Sequence, residues 1–250
     1  MRPALALLLA LLAGAAQAAP VWDRPAHLLF DVIVEADPSG LACLDGPMEP
    51  GPAYADIAGA DAWAWTATYD EGTRVVIAIP SSFDGVRAEE LTRALAEALG
   101  RVPPQARTGV AWMTVETTGG GSTYSADGMV YRLDEMEDLR ARGRLDELML
   151  HNAAHVTFGG SAALAAWDAA LAADGFVPLT SWAALAPGFD DMADTVVLAH
   201  GLLDHPDRLP AEALVTIGTS APNRIALVQD WLSAPLQAMP APDGCTEMLS

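Results

Sequence analysis

The chain has 250 residues, of which 52% are hydrophobic and 18% are charged, and its 33 acidic residues outnumber 13 basic ones that are all arginine. The formal charge of -20 argues against a nucleic-acid-binding surface, because such a surface needs clustered cations that displace counterions from the phosphate backbone. The absence of lysine also excludes a Walker-type phosphate loop and Schiff-base catalysis.

The first residues have the pattern of a secretory signal peptide. Arg2 precedes an apolar run over residues 4–12, and the small residues Ala16 and Ala18 follow before Pro20. The apolar run is too short for a membrane span, and the alternative is a retained N-terminal anchor. We expect residues 1–18 to be removed and the mature protein to be secreted or periplasmic, without membrane contact after cleavage.

Two cysteines, Cys43 and Cys245, lie near opposite ends of the mature chain. They can pair in an oxidising compartment, and the bridge would close a loop of roughly 200 residues and add several kcal/mol of stability. The alternative is two free thiols. We expect the bridge to tie down a C-terminal tail, residues 235–250, on the surface.

The first half of the mature chain, residues 19–133, predicts a β-rich subdomain. Strands rich in β-branched and apolar residues are expected at residues 27–34, 63–69, 74–79, 109–116 and 128–132, and we expect the first three to form an antiparallel meander. Leucines four residues apart, Leu91, Leu95 and Leu99, predict one helix over residues 86–99. Residues 117–122 are expected to form a loop.

The second half, residues 134–234, predicts a helical subdomain. Helical patterns separated by Gly and Pro cover residues 145–157, 162–173, 192–203 and 223–231. Strands first and helices second are the order of an α+β fold.

Two histidines in the first of these helices, His151 and His155, are four residues apart. On a helix this spacing brings both imidazoles to one face, where they can bind a single metal ion. Asp190 and Asp194, also four apart, begin a later helix; one can bind the metal while the other accepts a hydrogen bond from a ligand histidine. The alternatives are an incidental histidine pair and carboxylates that cap a helix N-terminus.

Four segments follow one another in an order that is more specific than any one of them. They are GGGSTYSADGMVYR, DELMLHNAAHVTF, DDMADT and APNRIALVQDW. This order resembles that of small secreted bacterial zincin-like proteins related to the gluzincin metallopeptidases. The resemblance implies a zincin-like fold, with zinc bound by His151, His155 and Asp190 and with Asp194 holding a ligand histidine. It also implies that the strand at residues 128–132 is the edge strand that aligns a peptide.

Two residues depart from the pattern of that family. Asn152 replaces the glutamate of H-E-x-x-H, which acts as general base toward the zinc-bound water, and an amide cannot take that proton. Asp190 is one methylene shorter than the ligand glutamate. Glu147, one turn before His151, is the nearest substitute base on the helix, but we expect it to point past the metal.

The resemblance and its two departures together imply an exported zincin-like metallopeptidase homologue that is impaired in hydrolysis and still able to bind zinc. The alternative is a metal-free exported module that binds a peptide or protein, which the loss of the glutamate at Asn152 favours. A third interpretation is an acidic exported domain with an incidental histidine pair. The sequence does not indicate an oligomeric state.

Overall fold

The structure, a computed structural model, describes residues 19–119 and 121–236. In these residues it contains a six-stranded mixed sheet and ten α-helices, which is consistent with the predicted α+β class. The predicted signal peptide at residues 1–18 and Cys245 lie outside the described residues. Cys43 is buried in the first strand, and its pairing with Cys245 stays a prediction.

The sheet has the strand order β1-β2-β3-β4-β6-β5. β1 to β3 are antiparallel neighbours, β4 runs parallel to β3, β6 runs parallel to β4, and β5 is antiparallel to β6. The bounds are β1 Leu41–Gly51, β2 Ala62–Tyr69, β3 Arg74–Pro80, β4 Trp112–Glu116, β5 Thr123–Tyr124 and β6 Gly128–Arg132.

The helices are α1 Ala55–Ala58, α2 Gly85–Arg101, α3 Pro104–Arg107, α4 Leu133–Ala141, α5 Leu145–Phe158, α6 Ser161–Ala173, α7 Ser181–Leu185, α8 Asp190–Asp204, α9 Ala211–Ser220 and α10 Pro222–Leu232. The predicted helices correspond to α2, α5, α6, α8 and α10, with ends within about two residues of the predicted ones, a normal uncertainty at helix termini. The helices α1, α3, α4, α7 and α9 were not predicted from the sequence.

The expected antiparallel pairing of residues 63–69 with residues 74–79 is confirmed by β2 and β3, whereas β4 runs parallel to β3 because α2 is a crossover connection. It joins β3 to β4, and a connection of this length allows the two strands to run parallel. The expected edge strand is wrong. Gly128–Arg132 pairs with β4 on one side and β5 on the other, so the edge of the sheet is β5, within a segment with little strand pattern.

The strand expected at residues 27–34 is absent, and a 3-10 helix at Ala26–Leu28 takes its place. The backbone here finds partners outside any sheet: the Ile33 amide donates to Glu147 and the Val34 amide donates to Asp37. Val32 and Ile33, two of the apolar residues that suggested a strand, are instead buried, and the 3-10 helix contacts α5 and α8.

The long first strand, β1, was not predicted from the sequence. Its segment contains Gly46, Pro47 and Pro50, which are residues typical of turns. Its pairing with β2 accommodates them through several register shifts. Local composition therefore concealed a strand that tertiary pairing stabilises.

Helix α5 lies at the centre of the molecule and is buried on almost every side, with only Val156 and Thr157 half-buried. It packs against α8, α2, α3 and the strands β5 and β6. One buried cluster includes side chains from the sheet, from α2 and from both α5 and α8. In the part of the chain that the structure describes, no single helix is long and apolar enough to span a membrane; only α5 and α6 taken together, bent by 112°, meet that criterion.

Candidate metal centre

The two histidines of the H-x-x-x-H pattern lie side by side on the buried helix α5. Their Nε2 atoms are 3.1 Å apart and their ring centroids are 4.7 Å apart. Both side chains are almost fully buried, so water does not solvate them freely. The helical spacing of His151 and His155 thus brings both imidazoles to one face of the helix, as the sequence predicted.

Asp190, the first residue of α8, completes a group of three donors. Its Oδ1 atom lies 3.3 Å from Nε2 of His155, and one ligand atom from each of the three residues lies within 4.8 Å of the others. The Asp190 side chain is 29% exposed, whereas the two histidines face the interior. This group could hold a metal ion, which would reach it from solvent on the side of Asp190.

Asp194 lies one turn further along α8 and contacts the opposite nitrogen of His151. Its Oδ1 atom is 2.9 Å from Nδ1 of His151, and its Oδ2 atom accepts a hydrogen bond from the Thr180 hydroxyl. A proton on Nδ1 that is donated to Asp194 leaves the Nε2 lone pair directed toward His155 and Asp190. The structure therefore brings together all four residues that the sequence selected for the site.

The helix α8 is anchored by a buried arginine from α10. Both oxygens of Asp191 accept hydrogen bonds from Nη1 of Arg224, at 2.7 and 3.0 Å, and Asp174 accepts one from Nε at 3.0 Å. Arg224 is fully buried. Because Asp191 directly follows Asp190, this network fixes the start of α8 and with it the carboxylate of the ligand group.

Asn152 lies between the two histidines in sequence and is buried against the sheet. Its Nδ2 atom donates a hydrogen bond to the Tyr131 hydroxyl, at 3.5 Å. Burial raises the pKa of that tyrosine above its usual range, so the hydroxyl stays protonated. Neither group can accept a proton from water near neutral pH.

Glu147, the nearest alternative base on the helix, contacts the N-terminal segment of the chain. Its Oε1 atom accepts a hydrogen bond from the Ile33 amide at 3.1 Å, while its buried Oε2 atom has no hydrogen-bond partner. Burial raises the pKa of Glu147 to about 7. The carboxylate therefore contacts the N-terminal segment, in agreement with the expectation that it points past the metal.

Three aromatic side chains surround the imidazoles, and none of them was identified as a site residue from the sequence. Tyr124 stacks on His155 with ring centroids 4.0 Å apart, Phe189 stacks on the same ring at 5.0 Å, and Trp182 meets His151 edge-on at 5.2 Å. Burial lowers the pKa of His155, which favours the neutral, metal-binding imidazole. Burial and the nearby Asp190 carboxylate raise the pKa of Tyr124 to about 12.

A third imidazole, His27, lies close to the first two although it is far from them in sequence. Its ring centroid is 6.4 Å from that of His151 and 4.8 Å from that of Trp182. Burial, followed by the proximity of His151, lowers its pKa to about 4, so it is neutral. The sequence did not predict this contact, because His27 lies in a segment that was wrongly predicted to be a strand.

Comparisons of the chain with protein-family models, with curated proteins and with solved structures found no match.

Proposed function

We propose that this chain is an exported zincin-like metallopeptidase homologue that binds zinc through His151, His155 and Asp190 and is impaired in peptide hydrolysis. The observation that carries the proposal is the convergence of the three donor atoms within 4.8 Å. Two imidazoles and one carboxylate are a ligand set that Zn²⁺ favours, and three protein ligands leave a position for water or substrate.

The impairment follows from the chemistry of Asn152. A bound zinc ion supplies Lewis-acid polarisation of a peptide carbonyl and lowers the pKa of a bound water. Asp194 orients His151 for this role, but Asn152 cannot remove a proton from the water. Loss of a positioned general base costs about a hundred- to ten-thousandfold in rate, so zinc binding would persist while hydrolysis would be weak.

The edge strand β5 supports a peptide as the binding partner. Tyr124 belongs to this strand and also stacks on His155, so a segment paired with the outer edge of β5 would run past the ligand group. Backbone pairing to a sheet edge is a common way to bind an extended peptide. The partner is therefore an extended peptide or protein segment, presented outside the cytoplasm if residues 1–18 act as a signal peptide.

The experiment that tests the proposal is elemental analysis of the purified mature protein after incubation with zinc and removal of the excess. The wild type is expected to retain one zinc equivalent that Asp190→Asn loses, because the amide is a poor zinc ligand. Asp168→Asn, a change at an exposed aspartate of α6, is the matched control and should retain that equivalent.

Equal zinc content in the wild type and in Asp190→Asn would contradict the proposed ligand set. A wild type without zinc that still binds peptides would instead favour a metal-free binding module. Circular dichroism of each variant establishes that a loss of zinc does not reflect unfolding.

A further inference from the structure

A second pair of histidines lies at the other end of α8. His200 belongs to the last turns of the helix, and His205 follows its final residue. Their ring centroids are 4.9 Å apart with an interplanar angle of 88°. The corresponding values for His151 and His155 are 4.7 Å and 76°, so both pairs have their rings edge-on at a similar centroid distance.

An aspartate orients one histidine of this second pair, as Asp194 does in the first. Nδ1 of His200 lies 2.7 Å from Oδ2 of Asp204, one turn further along the helix. A proton held between these two atoms leaves Nε2 as the metal-binding nitrogen of His200. The carboxylate is half-exposed, so the pair borders solvent rather than the core.

The two imidazoles share a cavity with room for a hydrated ion. His200, Asp204 and His205 line one part of a cavity of about 550 Å³, whose lining also includes Asp37, Arg101 and Arg107. The carboxylate of Asp37 accepts two hydrogen bonds of 2.6 Å from the Arg208 guanidinium, so it does not serve as a metal ligand. The site therefore offers two imidazole nitrogens, and water would fill the remaining coordination positions.

We propose that His200 and His205 form a second divalent metal site, which binds a borderline transition-metal ion such as Zn²⁺ with two protein ligands and water. Imidazole nitrogen suits Zn²⁺, Cu²⁺ and Ni²⁺ and not the hard cations Mg²⁺ and Ca²⁺. The formal charge of -20 on the whole chain favours cation binding in general. With one protein ligand fewer, this site binds zinc more weakly than the His151 group.

Calorimetric titration of the metal-free mature protein with zinc tests this assignment. We expect a strong and a weak class of site in the wild type. His205→Ala should lose the weak class and keep the strong one, and Asp190→Asn should do the reverse. Asp204→Asn should weaken only the weak class by about ten- to a hundredfold, because it removes the group that orients His200.

Asp207→Asn is the matched control, because it removes an exposed aspartate near the same helix end without touching either histidine; both classes should persist. A titration of His205→Ala that is identical to the wild type would overturn the proposal. So would loss of both classes in a folded His205→Ala protein, because the two sites would then not be separate. A wild-type titration that shows the weak class without the strong one would contradict zinc binding by the His151 group and would leave the second site supported.

Discussion

At the level of single residues, the candidate centre combines three residues that could hold a metal ion with an amide between the two histidines. His151, His155 and Asp190 converge, and Asp194 holds the outer nitrogen of His151. Asn152 stands between the histidines with its amide turned to the Tyr131 hydroxyl. Under the proposed function, one side chain separates metal binding from hydrolysis.

We therefore expect Asn152→Glu to raise peptide hydrolysis by the zinc-loaded protein roughly a hundred- to ten-thousandfold, because it restores a carboxylate that can accept a proton from the water. The measurement is the cleavage rate of a quenched-fluorescent peptide mixture. Asn152→Gln is the matched control, since glutamine has the same length as glutamate and its amide cannot take the proton. Equal rates for the two variants, with zinc bound in both, would rule out Asn152 as the missing base position.

At the level of elements, the site depends on the placement of α8 against α5. Each helix contributes two of the four residues, and α10 holds the start of α8 through the Arg224 network. The arginine also donates to the backbone oxygens of Val177 and Ser220, so it links four segments of the second half of the chain. Its carboxylate partners are buried at their contacts with it, which makes the network costly to interrupt.

Replacing the arginine by an uncharged residue of similar size should lower the free energy of unfolding. Arg224→Met leaves the carboxylates of Asp174 and Asp191 without their counterion, and we expect the free energy of unfolding to fall by about 3–5 kcal/mol. Arg140→Met, at an exposed position of α4, should change it by less than about 0.5 kcal/mol. Urea denaturation measures both, and similar stabilities for the two variants would show that the network does not anchor α8.

At the level of the whole molecule, the N-terminal segment connects the two halves of the chain. Its backbone pairs with Pro178 and Leu179 near α7, and the Ile33 amide donates to Glu147 on α5. Because Glu147 is buried with one unpartnered oxygen, the native state binds its proton more tightly than the unfolded chain does. The free energy of unfolding then contains a contribution that falls as the pH rises.

The pH range of this contribution follows from the pKa of Glu147, which is 4.5 when exposed and about 7 in the folded protein. Between these values the native state carries more bound protons, so stability decreases with increasing pH. Relative to the wild type, Glu147→Gln should therefore gain about 3 kcal/mol in free energy of unfolding between pH 4.5 and pH 7.

Denaturation curves recorded across this pH range in a metal chelator measure the effect without contributions from metal binding. Glu212→Gln, at an exposed position of α9, should follow the wild-type profile at all pH values. Parallel profiles for Glu147→Gln and the wild type would show that the buried carboxyl does not control the pH dependence.

Residue spacing alone predicts the helices that carry the site and the residues that meet there. Spacings of four residues depend only on helical geometry, so they identify His151 with His155 and Asp190 with Asp194 before any tertiary contact is known. Gly and Pro between the helical patterns located most helix ends for the same local reason.

The surroundings of these residues, in contrast, depend on long-range packing. Strand direction, the edge position of β5 and the burial of the 3-10 helix at Ala26–Leu28 depend on pairing and packing between distant segments. Tyr124, Trp182 and His27 come from three such segments, and no spacing relates them to α5. Their contacts with the imidazoles arise because the sheet, α7 and the N-terminal segment all pack around one central helix, a long-range arrangement that local sequence patterns do not encode.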